Sequence, residues 1–278
     1  MKESLTQLLV HLDASPGASQ RLEVARAIAQ SHGAAVTALY AVTPALLVVP
    51  FAPEAGPSVA TTLREIDDER RAAARAALER SLATPGVHAA WAEVRDYPIV
   101  PAFSRQALYA DMLVLGQHDP AAPSPGVPSD FAQTVMAASG KPAIVLPYAG
   151  VPSAVGETAV IAWKPTREAA RAVSAAVPIL QRARRVHVLS WMEEQEGIDG
   201  ARLDLDGYLK LRGIEPVWHL EATEPDAVGE LLLTRAFDLD ADLLVMGCYG
   251  HSRAREWVLG GASRTVLGSM TLPVLMAH

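Results

Sequence analysis

The sequence predicts an α/β protein of two similar domains, each a five-stranded parallel sheet with helices on both faces. Three observations carry this reading. Short apolar runs alternate with amphipathic or alanine-rich stretches along the chain, the pattern of strands buried between layers of helices. "ADMLVLGQHD" (110–119) recurs as "ADLLVMGCYG" (241–250), and "KPAIVLPY" (141–148) faces "LPVLMAH" (272–278), both at an offset of 131. Nearer each start, "LVHLDASPGASQRLEVARAIA" (9–29) matches "VIAWKPTREAARAVSAAVP" (160–178) at an offset of 151. The fall from 151 to 131 places about twenty extra residues in the middle of the first half.

The elements follow in order. In the first half "QLLVHL", "AAVTALYAV", "HAAWAEV", "DMLVLG" and "PAIVLPY" read as strands. Helices are expected at 16–31, 61–83 and 98–109, with a weaker one at 130–139, and Ser15-Pro16 offers an N-cap and first helical residue. Residues 44–58 hold four prolines and read as an irregular excursion; it leads into the long charged helix 61–83, where the second half has only a shorter helix around 201–212. The domains are expected at 1–150 and 151–278, joined near 149–157. Their last strands, 141–147 and 272–277, are expected to pair the two domains, since free apolar edges invite aggregation. Asp13 and Lys164 end the first strand of each half, Gly116 and Gly247 the fourth. These are crevice positions, where open parallel sheets hold ligands.

Composition narrows the function classes. Half of the 278 residues are apolar and a fifth charged, and no apolar run is long enough to span a membrane. The start, Met1-Lys2-Glu3-Ser4, lacks the features of a signal peptide, and a single cysteine, Cys248, excludes an intrachain disulfide; both suit a cytoplasmic protein. The net charge of −7 divides into −3 over 1–150 and −4 over 151–278, so neither half has the basic excess of a nucleic-acid binder.

The segment "LLVMGCYGHSRAREWVLGGASRT" (243–265) carries the sharpest question. Gly247 and Gly250 are separated by two residues, Gly250 and Gly260 by nine, and Gly261 and Ser263 follow as a helix begins. Glycines let a backbone approach an anion closely, and a helix start offers free N–H groups and a partial positive charge. The competing reading is a strand end and a helix start with no ligand between them.

This Gly-x2-Gly-x9-Gly segment, closing a five-strand domain, resembles the universal stress protein family, as do "VHLDAS" and "AWKPTREAARAV". Two such domains resemble the tandem members of that family over essentially the whole chain. The resemblance implies a Rossmann-like, adenine-nucleotide-binding fold. It also implies a stress-response role that is non-enzymatic, or a weak ATPase at most. Members of the nucleotide-binding kind hold ATP with an acidic residue at the end of the first strand and place the phosphates on the glycine loop; others bind no nucleotide.

Carried over by residue, the second half keeps Gly247, Gly250 and Gly260. Gly261 stands where Ser or Thr is usual, Ser263 restores a hydroxyl two places on, and Lys164 replaces the acid. The first half has Asp13 and Gly116 in place, but Asp119, Ser129 and Asp130 replace the later glycines. A carboxylate at the helix start would repel a phosphate and occupy the anion site itself. The expectation is one altered site, Gly247, Gly250, Gly260, Gly261, Ser263 and Lys164, and a vestigial one at Asp13 and Gly116. Lys164 either re-tunes the site towards another anion, or it points to solvent or pairs with Glu168 one turn on and the site is dead.

The implied ligand is ATP, another adenine nucleotide or a small phosphate compound, with no metal. The two domains are expected to pair with each other, a homodimer is compatible, and neither nucleic acid nor membrane is a partner. Two alternatives are a nucleotide-free interaction module of the same fold and an adenylating-type enzyme. Lys164 and the lack of catalytic motifs count against the second alternative.

His11, His118, His219 and His251 show no metal-ligand spacing. Ser252 and Ser263 lack a nucleophile elbow. Cys248 reads as a small half-buried residue, and Trp91 and Trp218, in equivalent third strands, as core.

Overall fold

Every strand of the first repeat in the computed structural model lies on one of the apolar runs named above. The structure describes residues 2–48, 56–150, 154–191, 203–221, 227–248 and 261–278. By its internal contacts the chain divides into two units, Leu5–Lys141 and a second made of Pro142–His278 with the first four residues.

The first unit contains β1 (Gln7–Leu12), α1 (Gly17–His32), β2 (Ala35–Tyr40), α2 (Ala45–Val48), α3 (Pro57–Ala83), β3 (Ala89–Glu93), α4 (Ile99–Ala107), β4 (Met112–Gly116) and α5 (Phe131–Ser139). Its strands run parallel in the order β3-β2-β1-β4, with Leu8 opposite Met112 and Gln7 opposite Ala35. Leu8, Leu12, Leu113 and Val114 are fully buried, as expected of strands covered on both faces.

The second unit contains β5 (Ala143–Leu146), β6 (Thr158–Trp163), α6 (Arg167–Leu180), β7 (Arg185–Ser190), α7 (Leu205–Lys210), β8 (Pro216–Leu220), α8 (Val228–Asp238), β9 (Leu243–Gly247), α9 (Gly261–Ser269) and β10 (Val274–Ala277). Its order is β5-β10-β9-β6-β7-β8, all parallel except β5, which runs antiparallel to β10 with Val145 opposite Val274. β5 and β10 are thus hydrogen-bonded within this unit. A fragment of residues 1–150 would expose the β5 edge that β10 covers, and should aggregate or dimerise, a result that size-exclusion chromatography would read.

The recurring "AD" of the two matched motifs has a structural use. Asp111 Oδ2 accepts from Thr6 N (2.7 Å), Thr6 Oγ1 (2.6 Å) and Gln7 N (3.0 Å), tying the start of β4 to that of β1. Asp242 does the same for β9 and β6, accepting from Gly156 N (2.8 Å), Glu157 N (3.0 Å) and Thr158 N (3.2 Å). Each carboxylate satisfies N–H groups that stand at the edge of the ladder.

Several local readings are corrected. α1 begins at Gly17, and Ser15 does not cap it with its side chain; the hydroxyl donates to the Asp13 carboxylate at 2.6 Å, a charge-assisted hydrogen bond. α3 starts four residues earlier than expected, with Pro57 at its first position, and the excursion before it contains the short helix α2. Trp91 and Trp218 are half-buried rather than core, because β3 and β8 lie at the ends of their sheets. Trp91 stacks on Tyr40 under the Arg75 guanidinium, 4.3 Å from the ring centre, and Trp218 Nε1 donates to Asp206 Oδ1 at 3.0 Å.

Candidate functional site

In the second unit strand order reverses between β6 and β9, and a crevice opens at their carboxyl ends. β6 delivers Trp163 and Lys164 to its mouth. The chain then turns into α6, whose Thr166 side chain accepts from Ala169 N at 3.3 Å, a regular N-cap. β9 ends at Gly247. A Cβ there would lie 2.5 Å from Ala169 N and 2.7 Å from the carbonyl carbon of Glu168, so glycine is required for α6 to seat its first turn against β9. Gly229 on α8 does a similar service for α9, since a Cβ would lie 2.7 Å from Thr265 Cβ and 2.9 Å from Ala262 O. Together these elements enclose a cavity of about 420 Å³, inside the range of roughly 300–1,000 Å³ usual for small-molecule sites.

Four of the six residues expected to form the altered site line this one cavity: Lys164, Gly247, Gly261 and Ser263. Gly250 and Gly260 lie outside the described residues, as do Ser252 and His251. Among the described residues, none comes within 4 Å of a Cβ built at Gly261. Ser263 is buried two residues further on, and Lys164 is exposed at the rim.

Among the lining residues that the sequence did not mark as part of the site are Glu168, Trp163 and Trp191. Glu168 is the most consequential. Read from the sequence it is a surface partner for Lys164; in the structure it is 4% exposed, and its Oε1 accepts from Arg167 Nε at 2.5 Å. Burial pushes its carboxyl up, but the Arg167 hydrogen bond and charge outweigh this, and the group is held below the usual glutamate range. Glu168, ionised at neutral pH, therefore forms part of the cavity wall at the first turn of α6. The signal available was the offset of 151, which sets Glu168 against Gly17 and so marks a charge gained at a crevice position.

The first unit treats the same place differently. Arg21 and Asp13 are 5% and 4% exposed and pair at 2.5 Å, while Arg21 Nε donates to His11 O at 2.9 Å. A Cβ on Gly116 would lie 2.6 Å from Arg21 Nη1, and one on Gly17 3.3 Å from it. The guanidinium occupies the crevice beside both glycines. At the offset of 151 Arg21 corresponds to Ala172, whose methyl group is far too short to fill the space of a guanidinium. Asp130, expected to block the helix start, makes no hydrogen bond to the N–H groups of α5; its Oδ2 accepts from the Thr134 hydroxyl at 3.1 Å. Asp119 accepts from Ala121 N at 2.9 Å.

Electrostatics in this unit follow from burial and Arg21. Burial would raise the Asp13 carboxyl, yet Arg21, with His11 and Ser15, holds it well below the usual carboxylate range. His11 is buried between Phe131 and Phe103, and its Nε2 lies 2.9 Å from Ala41 O. Burial, reinforced by the Arg21 charge and opposed by Asp13, lowers its pKa to about 4.

The remaining candidates resolve simply. Cys248 is fully buried, and burial pushes its thiol up to about 12, so it is no nucleophile at neutral pH. His219 Nε2 meets His187 Nδ1 at 3.0 Å, and His118 is exposed. Among the described residues no group of three or more His, Cys, Asp or Glu side chains could hold a metal, and no helix is long and apolar enough to cross a membrane.

The universal stress protein family model matches residues 157–278. A universal stress protein from Archaeoglobus fulgidus DSM 4304 shares the fold over 98% of this chain and 97% of its own, with a TM-score of 0.69 and 15% identity. A functionally unknown protein from Pseudomonas aeruginosa PAO1 does so over 98% and 92%, with a TM-score of 0.55 and 14% identity. A universal stress protein in complex with cAMP aligns with 52% of this chain and 98% of its own at 18% identity, with a TM-score of 0.35. No curated protein sequence matches the chain. Residues 157–278 thus match the universal stress protein family, on an α/β fold shared along the length of the chain.

Proposed function

We propose that the chain is a non-enzymatic, cytoplasmic stress-response protein that binds one adenine nucleotide, in the crevice of its second half. It is organised as two universal-stress-like domains, 1–150 with a degenerate loop and 151–278 with most of the glycine loop retained. The observation that supports this best is the contrast between the two crevices. One is filled by the protein's own Arg21. The other, with Ala172 in that position, keeps an open cavity lined by Gly247, Gly261, Ser263 and Lys164. Trp163 and Trp191 add aromatic surface suited to a base.

Calorimetric titration of the full chain with ATP, ADP, AMP and cAMP tests the proposal, with a stoichiometry of one per chain expected. Gly250→Asp, which copies Asp119 of the first half, should put a carboxylate beside the phosphates and weaken binding about tenfold or more. Binding of two nucleotides per chain, or indifference to Gly250→Asp, would place the site elsewhere.

A further inference from the structure

The two crevices carry the same kinds of charge in transposed positions. In the first unit the anion, Asp13, stands just past the end of β1 and the cation, Arg21, on the helix that follows. In the second the cation, Lys164, stands just past the end of β6 and the anion, Glu168, on the first turn of the helix. The transposition changes what each wall of the cavity accepts. Glu168 is buried and ionised, so it repels a phosphate from the first turn of α6, an N-terminus that would otherwise attract one. It accepts hydrogen bonds only, and an ionised acceptor makes its strongest ones to ligand O–H or N–H groups. Lys164 at the rim, and the start of α9 with Gly261 and Ser263, are the walls left for an anion.

Resting on the nucleotide reading above, we propose that Glu168 is the specificity-determining acceptor for the ligand's vicinal hydroxyls, with the phosphates directed outward between Lys164 and the start of α9. A ribonucleotide fits this polarity: its diol offers two neighbouring donors to one carboxylate, its phosphates stand at the opposite end of the sugar, and its base meets Trp163 or Trp191. Lys164 is then a phosphate ligand. The acid at the strand end has been replaced on the helix.

The test is calorimetry on the full chain with ATP, 2′-deoxy-ATP, 3′-deoxy-ATP and adenosine. The natural protein should bind ATP about tenfold more tightly than either deoxy form, the scale of a lost charge-assisted hydrogen bond. Glu168→Gln should shrink that ratio to within about threefold while leaving the preference for ATP over adenosine. Lys164→Met should do the reverse. Lys164→Asp, which would bring a second carboxylate to the cavity, should weaken ATP binding. Equal affinity of the natural protein for ATP and both deoxy forms overturns the inference whatever the variants do, as does a gain in ATP affinity with Lys164→Asp. Nucleotide binding without ribose discrimination sinks this inference alone; failure to bind any nucleotide sinks the proposed function with it.

Discussion

Arg21→Ala is expected to destabilise the protein by about 3–5 kcal/mol, because it strands an ionised carboxylate in a buried crevice. Asp13 is 4% exposed and its Oδ1 takes hydrogen bonds from Arg21 Nη2 (2.5 Å), Ser15 Oγ (2.6 Å) and Ser15 N (3.1 Å). Removing the guanidinium leaves the two serine donors to hold a charge whose nearest cation has gone, beside space that Gly17 and Gly116 had left for it. The loss should appear as a lower urea midpoint with little change in slope. Replacing both partners together, Asp13→Leu with Arg21→Met, should recover much of it, since a buried pair is costly to break and cheap to exchange for apolar volume. An Arg21→Ala loss below about 1 kcal/mol would show that the pair is solvated in solution. Acid should reveal the same linkage. Because folding lowers the Asp13 pKa, its contribution is complete above the ordinary carboxylate range and is lost as pH falls through and below that range.

Between neutral pH and about 4, a second group should dominate the pH dependence of stability. His11 has its pKa lowered from 6.5 to about 4 by burial. The unfolded chain therefore takes up a proton near 6.5 that the folded chain refuses until about 4. Stability from this group is fully present above 6.5 and falls by about 3 kcal/mol as pH drops to 4. His11→Phe keeps an aromatic ring between Phe103 and Phe131 but cannot titrate, so it should remove this part of the slope. It should also lower stability at pH 7 by about 1 kcal/mol, the worth of the hydrogen bond at Ala41 O. Urea titrations at pH 7 and 4.5 on both proteins would measure the difference. Parallel pH profiles would mean that His11 is hydrated or protonated in the fold.

The sequence by itself determined the architecture. Strand positions, the alternation with helices, the repeat offsets and the crevice residues Asp13, Lys164, Gly116 and Gly247 all follow from local patterns. Continuous apolar runs and turn residues act within a few neighbours, and the structure places these elements where the patterns put them. Gly247 was legible as the end of a strand, but its purpose was not. Its missing side chain admits the backbone of α6, which is remote in sequence.

Only the tertiary structure decided which charges turn inward. Arg21 and Glu168 both sit on amphipathic helices, where a charged residue is ordinarily solvated, and nothing beside them in the chain marks either as buried. Arg21 goes in because Gly17 and Gly116, contributed by different elements, leave the volume and Asp13 supplies the opposite charge. Glu168 goes in because Gly247 lets the first turn of α6 press onto β9, while Arg167 keeps its carboxylate ionised. Burial of Cys248 and half-exposure of Trp91 and Trp218 were settled in the same way. Each depends on the space and partners that distant residues provide, and local sequence patterns carry no record of either.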